Sequence, residues 1–426
     1  MKTILLHDGR VIDPATQKDD ALDVLIEDGK ITRIGKGLQH VTAERINVKG
    51  KIIAPGFIDM HVHLREPGFE YKETILTGCT SAAAGGFTAV CCMPNTNPPI
   101  DDESVVHFIQ SRAKAALNGL VDVYPIASVT QGRKGDRLSP FAELAGAGVV
   151  AFTDDGDPVH DAEIMRRALE YASMYNRPII QHAQETSMTK GGVMNEGFAS
   201  TELGLPGMPD IAEDVMVARD IALTSYTGGR YHVAHMSTAG STRMVRQAKK
   251  DGLKITCEVT PHHFTLTDDA VRTYDTNTKM NPPLRSREDV EEIKRGLQDG
   301  TIDVIATDHA PHSFDEKQVE YQAAPFGIVG LETAIGLSLT QLVHTGILSL
   351  SQIIEKFSVN PRRILGLPAI AVQEGELANL TVFDPIAEWV VRTDEFKSRS
   401  KNSPFGGFKL KGRPFGVINN GECYWV

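Results

Sequence analysis

Phe57-Ile58-Asp59-Met60-His61-Val62-His63-Leu64-Arg65 begins as an apolar strand and ends in two imidazoles and a guanidinium. Side chains alternate faces along a strand, so His61 and His63, two apart, share one. Further strand-like runs follow at 88–93, 121–129, 149–153, 178–182, 230–235, 254–259 and 302–307. Helical patterns separate most of them, as at 161–175, 212–226, 238–250 and 287–297. Strands alternating with helices, eight in all with 57–63 as strand one, predict an α/β fold, a (β/α)8 barrel of the TIM type. A doubly wound open sheet is the alternative, but no Gly-x-Gly-x-x-Gly turn follows the first strand.

The ends of the chain read differently. Residues 21–26 and 31–34 are strand-like, and Asp28-Gly29 between them is a hairpin turn signal. After Leu367, Leu380-Thr381-Val382-Phe383 and Gly416-Val417-Ile418 are again short strand-like runs. Residues 1–54 and 368–426 are therefore expected to form one small β domain built from both termini, beside a catalytic barrel at 55–367.

Composition narrows the function. With 41% hydrophobic and 23% charged residues in 426, the chain is neither disordered nor collagen-like. Its formal net charge of −11 argues against nucleic acid or an anionic membrane as partner. No run approaches ~18 consecutive apolar residues, so no membrane span is expected. The apolar run near Met1 is too short for a signal peptide. The five cysteines, Cys79, Cys91, Cys92, Cys257 and Cys423, are odd in number and form no Cys-x-x-Cys pair. They read as reduced thiols of a cytoplasmic protein, with Cys91 and Cys92 on opposite strand faces.

Chemistry-bearing residues gather at the C-terminal ends of the predicted strands, where barrel enzymes place their catalytic groups. Strand one supplies His61 and His63. Strand four ends in Asp154-Asp155-Gly156, which could equally be an Asp-rich turn. Strand five ends in His182 and strand six carries His232 and His235. These last two are an odd number apart. His235, nearer the strand end, is the better ligand, and His232 is expected to face the helical layer. Strand eight runs into Asp308-His309, with Asp308 expected inside the barrel and His312 in the following loop. Each position alone has a structural explanation; together they predict a metal site. Four histidines and two carboxylates exceed what one tetrahedral zinc needs, so two ions are expected. His262 and His263 are left without a metal role.

The chain resembles the amidohydrolase superfamily, and within it dihydroorotases of the bacterial type that groups with the longer class. The motifs are Asp59-Met60-His61-Val62-His63-Leu64-Arg65-Glu66-Pro67-Gly68, Met93-Pro94-Asn95-Thr96, Phe152-Thr153-Asp154-Asp155-Gly156, Asn281-Pro282-Pro283-Leu284-Arg285 and Ala306-Thr307-Asp308-His309-Ala310-Pro311-His312. The resemblance implies that His61, His63 and Asp308 hold one zinc, that His182 and His235 hold the other, and that Asp155 bridges them. Asp155 is preferred to Asp154 for its spacing to His182. Related hydantoinases and allantoinases typically bridge with a carboxylated lysine, and 149–156 contains no lysine.

By the same resemblance, the activity is reversible hydrolysis of the cyclic amide of L-dihydroorotate to N-carbamoyl-L-aspartate, a step of pyrimidine biosynthesis. Asp308 is the expected proton carrier. Arg65, always charged and forked, suits the substrate carboxylate. His63, Asn95, Asn281, His312, Phe326 and Gly327 complete the expected substrate contacts. The polar stretch 313–326 is expected to act as a lid. A hydantoinase or allantoinase type of cyclic-amide hydrolase is a rival reading. So is an inactive barrel serving as an assembly partner, for example of aspartate carbamoyltransferase, although such a chain would be expected to lose ligands. A homodimer is the default assembly.

Overall fold

Phe57–Val62, strand one, pairs in parallel with Phe87–Cys92, which pairs with Asp122–Pro125. The structure is a computed structural model and describes residues 3–426. Strand four is held by single bridges, Ala127 to Phe152 and Phe152 to Ile179. Ile179–Gln181, Tyr231–Val233, Ile255–Val259 and Val304–Ile305 follow as strands five to eight. His309 bridges back to Val62 and closes the ring. Ring order equals chain order, as a (β/α)8 barrel requires.

Several strands are shorter than expected. Pro125 has no N–H to give a ladder. Beyond it pairing continues as separate bonds, such as Ile126 N–H to the Cys92 carbonyl at 3.0 Å.

Alternation sorts the strand residues into two shells. Ile58, Met60, Ala89, Cys91, Ala234, Val304 and Ala306 belong to an inner cluster. Phe57, Val62, Phe87, Val90 and Cys92 pack outward in the larger cluster shared with the helices. Cys91 and Cys92 thus face opposite ways. Full burial of a Val, Leu, Ile or Phe contributes ~1.5–3 kcal/mol, so these two layers are the main source of stability.

The helices begin at side-chain caps. The Asp161 side chain accepts from the N–H groups of Glu163 and Ile164 at the start of Ala162–Ser173. Thr238 caps Ala239–Lys250, and Ser286 forms a capping box with Asp289 at the start of Arg287–Gln298.

Both termini enter one eight-stranded sheet. Ile4–Asp13 pairs with Lys18–Glu27 on one side and with Glu44–Asn47 and Ile52–Pro55 on the other. Ile52–Pro55 then pairs antiparallel with Leu380–Val390, which continues to Lys409–Asn419 and Glu422–Trp425. The expected turn is present: Glu27 faces Lys30, and Asp28 and Gly29 take φ of 50° and 77°, the pair of positive values a two-residue I′ hairpin needs. The molecule is a (β/α)8 barrel with a small β domain built from both termini.

The two parts meet at Gly56. A Cβ there would lie 1.8 Å from Asn379 Oδ1 and 2.3 Å from Thr88 Oγ1, two atoms already hydrogen-bonded to each other at 2.7 Å. Gly56→Ala is expected to destabilise the protein by ~1–3 kcal/mol through overpacking, read as a lower urea midpoint. An unchanged midpoint would show that the junction yields freely.

Candidate metal centre

Strand one delivers His61 and His63 side by side, with ring centroids 5.4 Å apart. Its pairing register shifts between Asp59 and Val62. Asp59, fully buried, steadies this irregular stretch by accepting the His61 and Thr307 N–H groups at 3.0 and 3.1 Å, which ties strand one to strand eight. Burial raises its carboxyl to about 6, with those bonds opposing.

The ligand candidates converge around Asp155. Its Oδ2 lies 3.4 Å from His61 Nε2 and 3.5 Å from His63 Nε2. Its Oδ1 lies 3.3 Å from His235 Nε2 and 3.7 Å from His182 Nδ1. One carboxylate therefore faces two imidazole pairs. Asp308 Oδ1 completes the first group, at 3.0 Å from His63 Nε2 and 3.5 Å from His61 Nε2. Asp154 points elsewhere and accepts from the Thr130 N–H and hydroxyl at 3.0 and 2.5 Å.

Neighbouring acceptors set the tautomers. His61 Nδ1–H donates to Glu258 Oε1 at 2.7 Å, and His63 Nδ1–H donates to Asn95 Oδ1 at 2.8 Å. His182 Nε2–H donates to Gln184 Oε1 at 2.9 Å. Each of these bonds turns the other ring nitrogen, a lone pair, toward the carboxylate oxygens. His61 Nε2 is buried with no hydrogen-bond partner, and His182 Nδ1 faces His235 Nε2 at 2.8 Å. Ligand atoms crowded this closely in a buried site fit metal ions. Two groups, His61–His63–Asp308 and His61–Asp155–His235, each bring three ligand atoms within 4.8 Å of one another. A binuclear site suits this donor set.

The electrostatics agree. Burial opposes charge on His61, yet the carboxylates of Asp155, Glu258 and Asp308 raise its pKa well above the ordinary value. Burial would raise Asp155 and Asp308, but His61 outweighs it with further help from His182 and His235 at Asp155 and His63 at Asp308, and both carboxyls are lowered. In this array a proton on His61 takes the place of cationic charge.

The mouth of the site is a cavity of about 350 Å³. It is lined by His63, Arg65, Asn95, Asp155, His182, His235, Asn281, Asp308, His312, Phe326 and Gly327, with Gly156, Ala310 and Pro325. All residues expected to touch substrate are thus in one place, and His61 lies behind them. A larger cavity, about 580 Å³ near Trp389 and Trp425, has no histidine in its lining. The ligand candidates belong to the smaller one.

Arg65 has φ 64° and donates through Nε to the Pro311 carbonyl at 3.2 Å. Burial lowers its pKa to about 10, so it stays charged at neutral pH. Burial, Arg65, Lys72 and Lys317 push His312 far down and keep it neutral; its Nε2–H donates to the Phe326 carbonyl at 2.8 Å. The Gly327 N–H donates to the Lys279 carbonyl, and its carbonyl accepts from Asn402. Backbone contacts to substrate from these carbonyls would use their second lone pairs. The stretch 313–326 contains a short helix, Phe314–Lys317, and is pinned by Lys317 Nζ donating to the Thr276 and Pro325 carbonyls.

One expectation needs revision. His232 does not face the helical layer: it lies inside the barrel, with Nδ1 2.7 Å from Thr256 Oγ1 and Nε2 3.3 Å from Glu258 Oε2. Alternation puts it inward beside Ala234. His235 joins it because the strand ends at Val233 and His235 takes φ 30°, which turns its side chain back. Glu258, beside it, is not among the residues expected from the sequence. The available signal was a carboxylate within the buried run of strand seven, where an ionised group needs partners. Burial works against its charge, yet His61 and His232 hold its carboxyl well below the ordinary range. His263 is satisfied by Thr260 and the Pro282 carbonyl, while His262 Nε2 is buried without a partner. Neither belongs to the two ligand groups.

A closed parallel barrel with these side chains at its strand ends is a metal-dependent hydrolase of the amidohydrolase type. Residues 50–241 match the family model described as Dihydro-orotase-like. A dihydroorotase of Pelotomaculum thermopropionicum is 52% identical over 419 residues, covering 98% of this chain and 97% of that protein. One of Trichlorobacter lovleyi is 53% identical, covering 98% of both. The chain belongs to the dihydroorotase family. Among solved structures, the L-hydantoinase of Arthrobacter aurescens superposes with a TM-score of 0.86 at 24% identity, over 99% of this chain and 96% of its own. The dihydropyrimidinase of Brevibacillus agri gives 0.83 at 21%, over 99% and 94%. At such identities the likeness is one of fold.

Asp155→Asn is expected to lower the zinc retained per chain after dialysis, and Asp154→Asn to leave it unchanged. Metal analysis of both variants decides between the neighbours.

Proposed function

We propose that the chain is a zinc-dependent dihydroorotase, interconverting N-carbamoyl-L-aspartate and L-dihydroorotate in de novo pyrimidine synthesis. One observation carries the reading: a full-length match of 52–53% to dihydroorotases, in a chain whose ligand candidates converge on one cavity. In this reading His61, His63 and Asp308 hold one zinc, His182 and His235 the other, and Asp155 spans them. When bound, the zinc pair lowers the pKa of a water and polarises the ring carbonyl.

The chain's own groups do the rest. Asp308 is ionised at neutral pH and beside His63, so it can accept the proton of the attacking water. As the carbon–oxygen bond forms and the ring carbon–nitrogen bond breaks, that proton passes to the departing nitrogen. Arg65, charged and with no carboxylate in ion-pair distance among the described residues, binds the substrate carboxylate. Asn95 and Asn281 both face the cavity: Asn95 accepts from His63, and Asn281 donates at 2.6 Å to Gln184 Oε1, the acceptor of His182 Nε2–H. Phe326 and Gly327 line the cavity, and neutral His312 holds the Phe326 carbonyl.

The catalytic unit in this reading is the barrel at 55–367, with 1–54 and 368–426 as the β domain. A cytoplasmic location accords with the five cysteines, none of which is in a disulfide. No helix among the described residues is long and apolar enough to cross a membrane. A homodimer, and association with aspartate carbamoyltransferase, belong to the same proposal.

Purified protein loaded with zinc is expected to turn over dihydroorotate and to leave hydantoin and allantoin untouched. The opposite pattern would transfer the chain to the hydantoinase type. A chain that cannot be loaded with metal would favour the inactive-barrel reading. Asp308→Asn should cost ~10²–10⁴-fold in kcat with the circular dichroism spectrum unchanged; near-normal turnover removes it as proton carrier. Arg65→Ala should act mainly on KM, and an unaltered kcat/KM takes Arg65 out of the site.

A further inference from the structure

The geometry points to Glu258 as a positioning residue that holds both metal subsites together. This rests on the two-metal reading above and adds to it a group outside the ligand set. Glu258 is 1% exposed and sits on strand seven, which contributes no ligand. Its Oε1 accepts from His61 Nδ1–H at 2.7 Å and from the His235 backbone N–H at 3.3 Å. Its Oε2 meets His232 Nε2 at 3.3 Å, and His232 Nδ1 meets Thr256 Oγ1 at 2.7 Å. One carboxylate thus touches a ligand of each subsite.

The two contacts do different work. At His61 the bond selects the tautomer, so the Nε2 lone pair is the atom presented to Asp155 and Asp308. It also makes that nitrogen a stronger donor, as carboxylate bonds to ligating imidazoles do. At His235 the contact is to the backbone of a residue at φ 30°, a conformation that side chains rarely take and that surrounding bonds must maintain. Alternation alone would turn the His235 ring out of the barrel. The His232–Thr256 pair braces the far oxygen, so the carboxylate cannot rotate toward one ligand at the expense of the other. Because the same oxygen serves both histidines, loss of Glu258 weakens both subsites at once.

The test uses full-length enzyme loaded with zinc, and separately with cobalt as a spectroscopic reporter. Glu258→Gln preserves volume and removes the charge. Competition with a chelator should show both ions released about 10–100-fold more readily than from the wild type. The visible cobalt spectrum should change while the far-ultraviolet circular dichroism does not. His232→Gln, which removes only the outer brace, should show the same pattern at smaller amplitude; it gives the reading should the first variant not accumulate. Retention of both ions at wild-type strength overturns the proposal. Weakening of one ion alone overturns the coupling of the subsites. A wild-type chain that binds fewer than two ions sinks the two-metal reading itself, a result distinguishable because it needs no variant.

Discussion

Electron pairs that face one another in a dry interior need positive charge between them. Around Asp155, imidazole nitrogens and carboxylate oxygens of strands one, four, five, six and eight lie 2.8–3.7 Å apart, and all of them are buried. Burial weakens the screening of their charges by bulk water. Protons can satisfy the array in part, which is why His61 is pulled toward its charged form. Metal ions satisfy it fully. The barrel, the irregular strand ends and the amides behind the histidines all serve that arrangement.

A barrel of parallel strands brings eight strand ends to one rim, but regular alternation would scatter neighbouring side chains between the inside and the outside. The site is assembled where regularity is given up. Arg65, His235 and Asp308 all have positive φ, and strand one shifts register at Asp59. Such conformations cost ~1–3 kcal/mol each and persist only when surrounding structure over-determines them. Here buried carboxylates supply the restraint. Asp59 ties the irregular part of strand one to strand eight, and Glu258 reaches from strand seven to strands one and six.

Much of this was readable residue by residue. The alternation of strands and helices foretold the barrel. The pairing of Leu380–Val390 with Ile52–Pro55 has its forerunner in the likeness of the two chain ends. Every expected ligand and substrate contact lies in or directly behind one cavity. Two departures have separate causes. His232 and His235 were placed by strand parity, which holds only while the strand lasts, and strand six stops at Val233. Glu258 was missed because a carboxylate in an apolar run has no local signature of its partners, which lie 23 to 197 positions away.

The sequence by itself determined the periodicity, the helix caps, the Asp28-Gly29 turn and the chemical types waiting at the strand ends. These follow from local preferences and from which residues can leave water. Tertiary structure alone decided which of two adjacent aspartates looks inward, which nitrogen of each imidazole is presented, and that one buried glutamate serves two histidines. Those outcomes depend on directions in space between strands far apart in the chain, and a hydrogen bond selects its partner by distance and angle rather than by order along the backbone.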